Sequence, residues 1–257
     1  MEPEKYNAEA YWNRVAQNID SRASEKIIAG DNDPYYRYKR RRFLKLLDTV
    51  DFENKKVLEV GSGPGGNLLF LAKKNCQKLV GVDISDKMLD LSKTVLQNEN
   101  IELYKIDGVH IPFEDSHFDI VFTSTVLQHN TDESQLKKLV SEIARVSHSD
   151  VILFERIEKK ISGHSSNLGR PVKHYTNLWK EHHFSLVKTE FLPIQVSHFI
   201  CGAVRKLFNR TRRREGEPLS KASLFLEKLV LPITSALDQV VPSKRDVAML
   251  YFKRDKD

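Results

Sequence analysis

Cysteine is nearly missing from this chain: Cys76 and Cys201 are its two, and they lie far apart. That excludes a disulfide framework and a cysteine-built zinc site. No HExxH or comparable constellation offers a metal site, and no internal repeat or low-complexity segment is evident. Uncharged apolar runs of about 18 residues are also lacking, which removes a spanning helix. The opening residues MEPEKYNAEAYW hold no apolar stretch, so no secretory signal is expected. What is present suits a reduced, cytoplasmic, globular protein. The 257 residues are 40% hydrophobic and 30% charged, enough to bury a core. The net charge of +6 is unevenly spread, because residues 205–214 (RKLFNRTRRR) hold six cations and no acid. Such density suggests an anionic partner or a solvated helix face.

Residues 8–30 read as an amphipathic helix, and DNDP (31–34) marks a turn before a second helix over 35–47. Short apolar runs then fall at 56–60, 78–83, 101–106, 118–124 and 150–155, with helical stretches at 65–75, 85–97 and 132–147. This alternation predicts an α/β fold with a parallel sheet covered by helices. Two later strands fit Ser185–Phe191 and Asp246–Lys253. Between them, residues 192–245 form an unusually long interval with two apolar helical candidates flanking the basic run. Pro232 is expected to kink or end the second. The interval reads as an inserted lid, or as a face touching a membrane or a lipid-linked substrate.

The strongest local feature is VLEVGSGPGGNLLFLA, residues 57–72. A strand ends at Val60, a glycine-rich turn follows, and a helix begins near Gly66. Glycines 61, 63 and 65 allow a sharp turn and close approach of a ligand to the free amides of the helix start. A nucleotide-like ligand is expected. Gly61, Gly63 and Gly66 also satisfy G-x-G-x-x-G, and Asp83 ends the next strand where a carboxylate can accept both ribose hydroxyls. Spacing alone therefore leaves NAD open.

Three features separate the readings. Glu59 precedes the first glycine by two residues, where it can bind an ammonium group. A helical leader of about 55 residues precedes the motif, whereas dinucleotide domains often begin with their first strand. Then comes DGVHIPFEDSHFDIVFTSTVLQH, residues 107–129. Over roughly residues 50–155, with these motifs in order, the chain resembles the class I S-adenosylmethionine-dependent methyltransferases, especially the small-molecule type.

The resemblance implies a Rossmann-like, seven-stranded, mostly parallel sheet with helices on both faces. An N-terminal helical lid (1–48) and a helical insertion (192–245) would flank a core of 49–191 plus 246–254. It also implies S-adenosylmethionine as cofactor. Glu59, Gly61, Ser62, Gly63 and Gly65 match the loop around its methionine part. Asp83 matches the ribose acid, Ile84 with Met88 the apolar neighbours, and Asp107 with Gly108 and Val109 the adenine edge. Thr123 and Ser124 would lie beneath the sulfonium, with Gln128 following. Tyr11, Trp12, Arg37 and Tyr38 match lid positions over the cofactor.

Methyl transfer of this kind chiefly needs alignment and exclusion of water, with a base only when the acceptor must lose a proton. His129, after the fourth strand, is the first candidate base. His164, Arg170, His174 and Tyr175 form a second group after the fifth strand, at the carboxyl edge where ligands bind in open sheets. Arg170 could hold an anion, and His174 and Tyr175 are further catalytic candidates; alternatively Tyr175 and Trp179 anchor a helix to the sheet. TSTVLQHN lacks the Asn/Asp-Pro-Pro-aromatic box of many amino-group methylases. The expectation is therefore methyl transfer to a small-molecule or saccharide-like acceptor, oxygen preferred, with an anionic or lipid-linked acceptor suggested by 197–214. An RNA methyltransferase and a non-catalytic cofactor-binding subunit are the alternatives; no recognisable RNA-binding module supports the former.

Overall fold

A computed structural model describes residues 6–22, 27–28, 30–97, 99–209 and 215–256. Its helices are α1 (Ala8–Asp20), α2 (Pro34–Leu47), α3 (Gly66–Leu71), α4 (Asp86–Val95), α5 (Glu133–Val146), α6 (Val172–Lys180), α7 (Gln195–Phe208) and α8 (Lys221–Leu237). The strands are β1 (Lys56–Val60), β2 (Lys78–Asp83), β3 (Glu102–Lys105), β4 (Phe118–Ser124), β5 (Ser147–Ile157), β6 (Ser162–His164), β7 (Asn167–Gly169), β8 (Phe184–Phe191) and β9 (Asp246–Arg254). Seven of them form one sheet in the order β3-β2-β1-β4-β5-β9-β8. β3 through β5 run parallel, and β9 is antiparallel to both of its neighbours.

The central strands are runs of Val, Ile, Leu and Phe because both sheet faces are covered. On one face α5 and α6 bury Leu136, Val140, Ile143, Leu178 and Trp179 against Leu58, Val121, Val151 and Phe252. On the other, α2 brings Tyr35, Tyr38, Phe43 and Leu47 against Val57, Phe122, Ile152 and Met249. The expected turn at DNDP is the cap of α2: Asp33 accepts from the Tyr36 amide at 2.7 Å, and Pro34 occupies the first turn. Ser85 and Asp132 cap α4 and α5 in the same way.

Four expectations need correction. The first helix stops at Asp20, with Ser21 as its cap, and residues 23–26 and 29 of the expected span lie outside the described residues. α8 continues through Pro232, whose ring sits on an exposed face; the carbonyl it deprives of a partner belongs to Lys228, also exposed, where water can serve it. β5 begins at Ser147, ahead of its apolar run, because the chain passes directly from α5 into pairing with β4. The β6–β7 hairpin was not expected, since its polar residues give no periodic signal.

A cavity at the carboxyl edge of the sheet

Val60 ends β1 where the parallel strands present their carboxyl ends, and the glycine turn bends back beneath them. The Gly61 and Ser62 amides donate to the Val82 carbonyl at 2.8 and 3.0 Å. Gly61 has φ +72°, and a Cβ there would come within 2.4 Å of Val126. Only glycine fits. Gly63 also has a positive φ, and its missing side chain leaves open space. Its amide donates to Asp83 Oδ2 at 2.8 Å, while Ser85 N donates to Oδ1 at 2.8 Å. Two backbone amides thus aim the Asp83 carboxylate, whose pKa burial nonetheless raises.

Glu59 is buried beside this turn. Its Oε1 accepts from Asn67 Nδ2 at 2.8 Å, and Asn67 Oδ1 in turn accepts from Arg40 Nη1 at 3.0 Å. Arg40 also donates to the Gly66 carbonyl at 2.8 Å. The relay fixes the orientation of the Asn67 amide and leaves Glu59 Oε2 as a buried oxygen without a partner among the described residues. Burial pushes the Glu59 carboxyl up to about 8, against the opposing pull of Asn67 and Arg40.

A cavity of about 230 Å³ joins these groups to the turn after β4. Its walls include Trp12, Lys39, Arg40, Glu59, Asp83, Ile84, Met88, Gly108, Ser124, Thr125, His129 and Glu215. His129 Nδ1 lies 2.7 Å from the Ser166 carbonyl, which only accepts, so that nitrogen carries the proton. In the neutral ring Nε2 then keeps its lone pair, with the Gln128 side-chain nitrogen 3.3 Å away. Burial lowers the His129 pKa and favours this neutral form. The Trp12 ring meets His129 edge-on at 4.9 Å.

The turn carrying these groups is held from below by Glu155, a fully buried carboxylate on β5. It accepts from Thr123 Oγ1 and from the amides of Val126, Leu127 and Gln128, all at 2.9–3.0 Å. Thr125, at the cavity wall, sits in the left-handed region with φ +59°. That is costly for a β-branched residue, and the Glu155 network holds it there.

Several expected site residues lie elsewhere. Arg37 is exposed and donates to the Asn32 carbonyl; one helical turn on, Arg40 points into the cavity in its stead. Tyr11 is behind the wall, its hydroxyl donating to Glu215 at 2.8 Å, and Tyr38 donates to Asp238. Gly65 faces α4, where a Cβ would meet Ser92 at 2.5 Å. Asp107 is exposed at the rim, with Oδ1 accepting from the Val109 and His110 amides. Thr123 is turned towards Glu155, and the Gln128 side-chain oxygen accepts from Arg156 N at 3.1 Å.

His174 and Tyr175 do not line the cavity. Tyr175 packs with Trp179 in the core under α6, and His174 faces Glu133 at 3.2 Å. The anchoring alternative holds for this helix. Arg170, also fully buried, braces the turn through the Leu127 and Asn130 carbonyls and Glu133. His164 is exposed on β6. Sequence reasoning missed Arg40, Asn67, Glu155 and Glu215; of these only Glu155, an acid ending an apolar strand, left a local signal.

Comparison with known proteins separates the two nucleotide readings. Residues 57–150 match a methyltransferase domain family. A demethylmenaquinone methyltransferase from Lactobacillus johnsonii is 31% identical over 156 residues, 58% of this chain and 59% of that protein. An ajmaline N-methyltransferase from Rauvolfia serpentina is 25% identical over 133 residues, 49% of this chain and 44% of that protein. The chain spans about half the length of the curated relatives it matches. Magnesium protoporphyrin IX methyltransferase from Synechocystis PCC 6803, solved with bound SAH, shares the fold at a TM-score of 0.58 and 14% identity, over 96% of this chain and 98% of that one. Residues 57–150, which hold the glycine turn, are by this match a methyltransferase domain of the kind that uses S-adenosylmethionine. Among the described residues no helix is long and apolar enough to cross a membrane.

Proposed function

We propose that the whole chain transfers a methyl group from S-adenosylmethionine to a small-molecule acceptor, at an oxygen whose proton His129 removes. The observation that carries this reading is the single cavity shared by Glu59, Asp83 and His129, the last with its proton held on Nδ1. The partnerless Glu59 Oε2 suits an ammonium group, and Asp83 suits a ribose diol. The open space over Gly63 suits close approach of a ligand. Ile84 and Met88 offer an apolar wall, and Gly108 a bare one, for the base. When bound, the cofactor supplies a methyl group already activated on a sulfonium.

The chain's own task is to orient the acceptor, shed water and take a proton. His129 is held for it by the Ser166 carbonyl and by the Trp12 edge. We assign α1 and the segment from Glu215 the role of a lid, because Tyr11 and Asn18 of the first, with Arg22 just beyond it, donate to Glu215 and Gly216 of the second.

Calorimetric titration with S-adenosylhomocysteine, with NADH in parallel, tests the cofactor half on wild type and Asp83→Ala. Binding of the first alone, lost in the variant, is expected. The acceptor half is tested by following release of S-adenosylhomocysteine across a panel of hydroxyl and amine acceptors. Turnover confined to amines would overturn the choice of oxygen.

A further inference from the structure

The α7–α8 pair buries several polar side chains between and beneath its helices. Ser197 Oγ meets Thr234 Oγ1 at 2.9 Å, Asn209 Nδ2 meets Ser223 Oγ at 2.7 Å, and Asp238 accepts from the Val196 and Ser197 amides. Arg205 bridges buried Glu227 and Asp33. The outward stripe is apolar instead. On α8, Phe225, Leu229, Ile233 and Leu237 recur every fourth residue, with Ile233 68% exposed. On α7, Phe199, Ala203 and Leu207 do the same, with Leu207 76% exposed. An isolated exposed Leu is ordinary; two parallel stripes on adjoining helices are not.

The charge around this face narrows the choice of what covers it. In the sequence, residues 195–245 contain ten Lys or Arg against four Asp or Glu; four of those cations, at 210 and 212–214, lie outside the described residues, and Arg205 is paired with Glu227 and Asp33. Two of those four acids, Glu227 and Asp238, are buried against partners inside the pair. Lys206, Lys221 and Lys228 are exposed on the two helices, and Lys244 and Arg245 follow α8. A second copy would bring the same cationic excess against itself. An anionic surface with an apolar interior complements both properties at once.

We propose that the outer face of α7 and α8 seats this protein on the surface of an anionic lipid bilayer, its apolar stripes entering the interface and its cations meeting the headgroups. The contact stands apart from the reaction proposed for the cavity.

The test is co-sedimentation of the full chain with vesicles of equal parts phosphatidylglycerol and phosphatidylcholine, and with phosphatidylcholine alone. We expect partition onto the anionic vesicles, weakened by salt, and at least about tenfold poorer partition of Leu229→Glu with Ile233→Glu. S-adenosylhomocysteine titration of that variant should match wild type, since neither residue touches the cavity. Absence of wild-type binding to anionic vesicles overturns the proposal whatever the titration gives. So does equal binding to both vesicle types. A dimer in light scattering that the same substitutions dissolve, with no vesicle binding, identifies a second copy as the occupant instead. Vesicle binding without S-adenosylhomocysteine binding would sink the cofactor reading and leave this one standing.

Discussion

Burial holds the Glu59 carboxyl protonated up to about pH 8 in the ligand-free protein. Because the folded-state pKa is raised, its stabilising contribution is complete below the ordinary carboxylate range. It is lost as pH rises from there through about 8. Glu59→Gln, which keeps an acceptor for Asn67 without the charge, should leave stability near wild type at pH 5 and raise it above pH 8. Urea melts at the two pH values check this. A cation beside Oε2 reverses the preference, since opposite charge favours the ionised acid. Binding of S-adenosylhomocysteine near neutral pH should therefore release up to one proton. Titrations in buffers of different ionisation enthalpy would show it, and Glu59→Gln should abolish the release.

His129 gives a second outcome at this scale. As the proposed base it must be neutral to act, and burial lowers its pKa from the usual value. Turnover should thus persist through the pH where a free histidine protonates and fall only below it. His129→Gln should reduce kcat by about a hundredfold or more, with a smaller change in KM, and remove that acid limb. A pH–rate profile on both proteins decides it; an unchanged limb in the variant assigns the titration elsewhere.

At the scale of elements, β4 and β5 carry the site through the turn between β4 and α5, and Glu155 ties the two strands' ends to it. Truncation in Glu155→Ala would strand three backbone amides and the Thr123 hydroxyl. Each buried group so orphaned costs about 1–3 kcal/mol, with partial relief if water enters. We expect a loss of about 3 kcal/mol or more in denaturant unfolding, and weaker S-adenosylhomocysteine binding than the stability loss alone explains, because Thr125 would leave its left-handed conformation. Pro232→Ala on α8 should act oppositely, gaining about 1–3 kcal/mol from restored helix bonding at an exposed position.

These elements also show what was legible beforehand. β1, β2 and β4 are apolar runs because both faces are covered, and Glu59, Gly61, Gly63 and Asp83 sit at fixed offsets from the ends of such runs. The chain geometry at each strand end and the parallel pairing of β1 with β2 bring them together. His129 is legible for the same reason, directly after the three residues whose amides Glu155 holds. Arg40, Lys39 and Glu215 reach the cavity by tertiary packing of α2 and the insertion, so no spacing announces them. Arg37 and Arg40 illustrate the limit: three residues apart, they differ only in which face of α2 meets the sheet. The end of α1 was misplaced because amphipathic periodicity does not mark where a helix stops without a strong cap.

For the molecule as a whole, the cavity lies between the sheet and α1, the element proposed above as a lid, which is more lightly attached. The core clusters on both sheet faces are continuous, whereas α1 rests on α4 through a small group of Val15, Ala16, Ile19 and Met88. Its polar ties are Asn13 Oδ1 accepting from Ser85 Oγ at 2.7 Å, Glu9 with Lys105, and a strap to the insertion: Tyr11 to the Glu215 carboxylate at 2.8 Å, Asn18 to the Glu215 carbonyl at 3.0 Å, and Arg22, just past the helix, to the Gly216 carbonyl at 2.9 Å. Few buried contacts and exposed hydrogen bonds place such a segment at the low end of local stability. In the lid role proposed above, α1 lies on the ligand's way to Glu59 and Asp83, and Trp12 and Met88 line the cavity beside them. Amides of α1 should therefore exchange with solvent far faster than those of β1, β4 and β5 in the free protein. Saturation with S-adenosylhomocysteine should slow them selectively. Tyr11→Phe removes one strand of the strap without touching the core, so it should leave the unfolding midpoint within error and speed ligand release several-fold. Exchange measured by mass spectrometry reads the first effect and stopped-flow displacement the second. If the variant instead lowered the midpoint and left release unchanged, α1 would be part of the folding core and the cover would lie elsewhere.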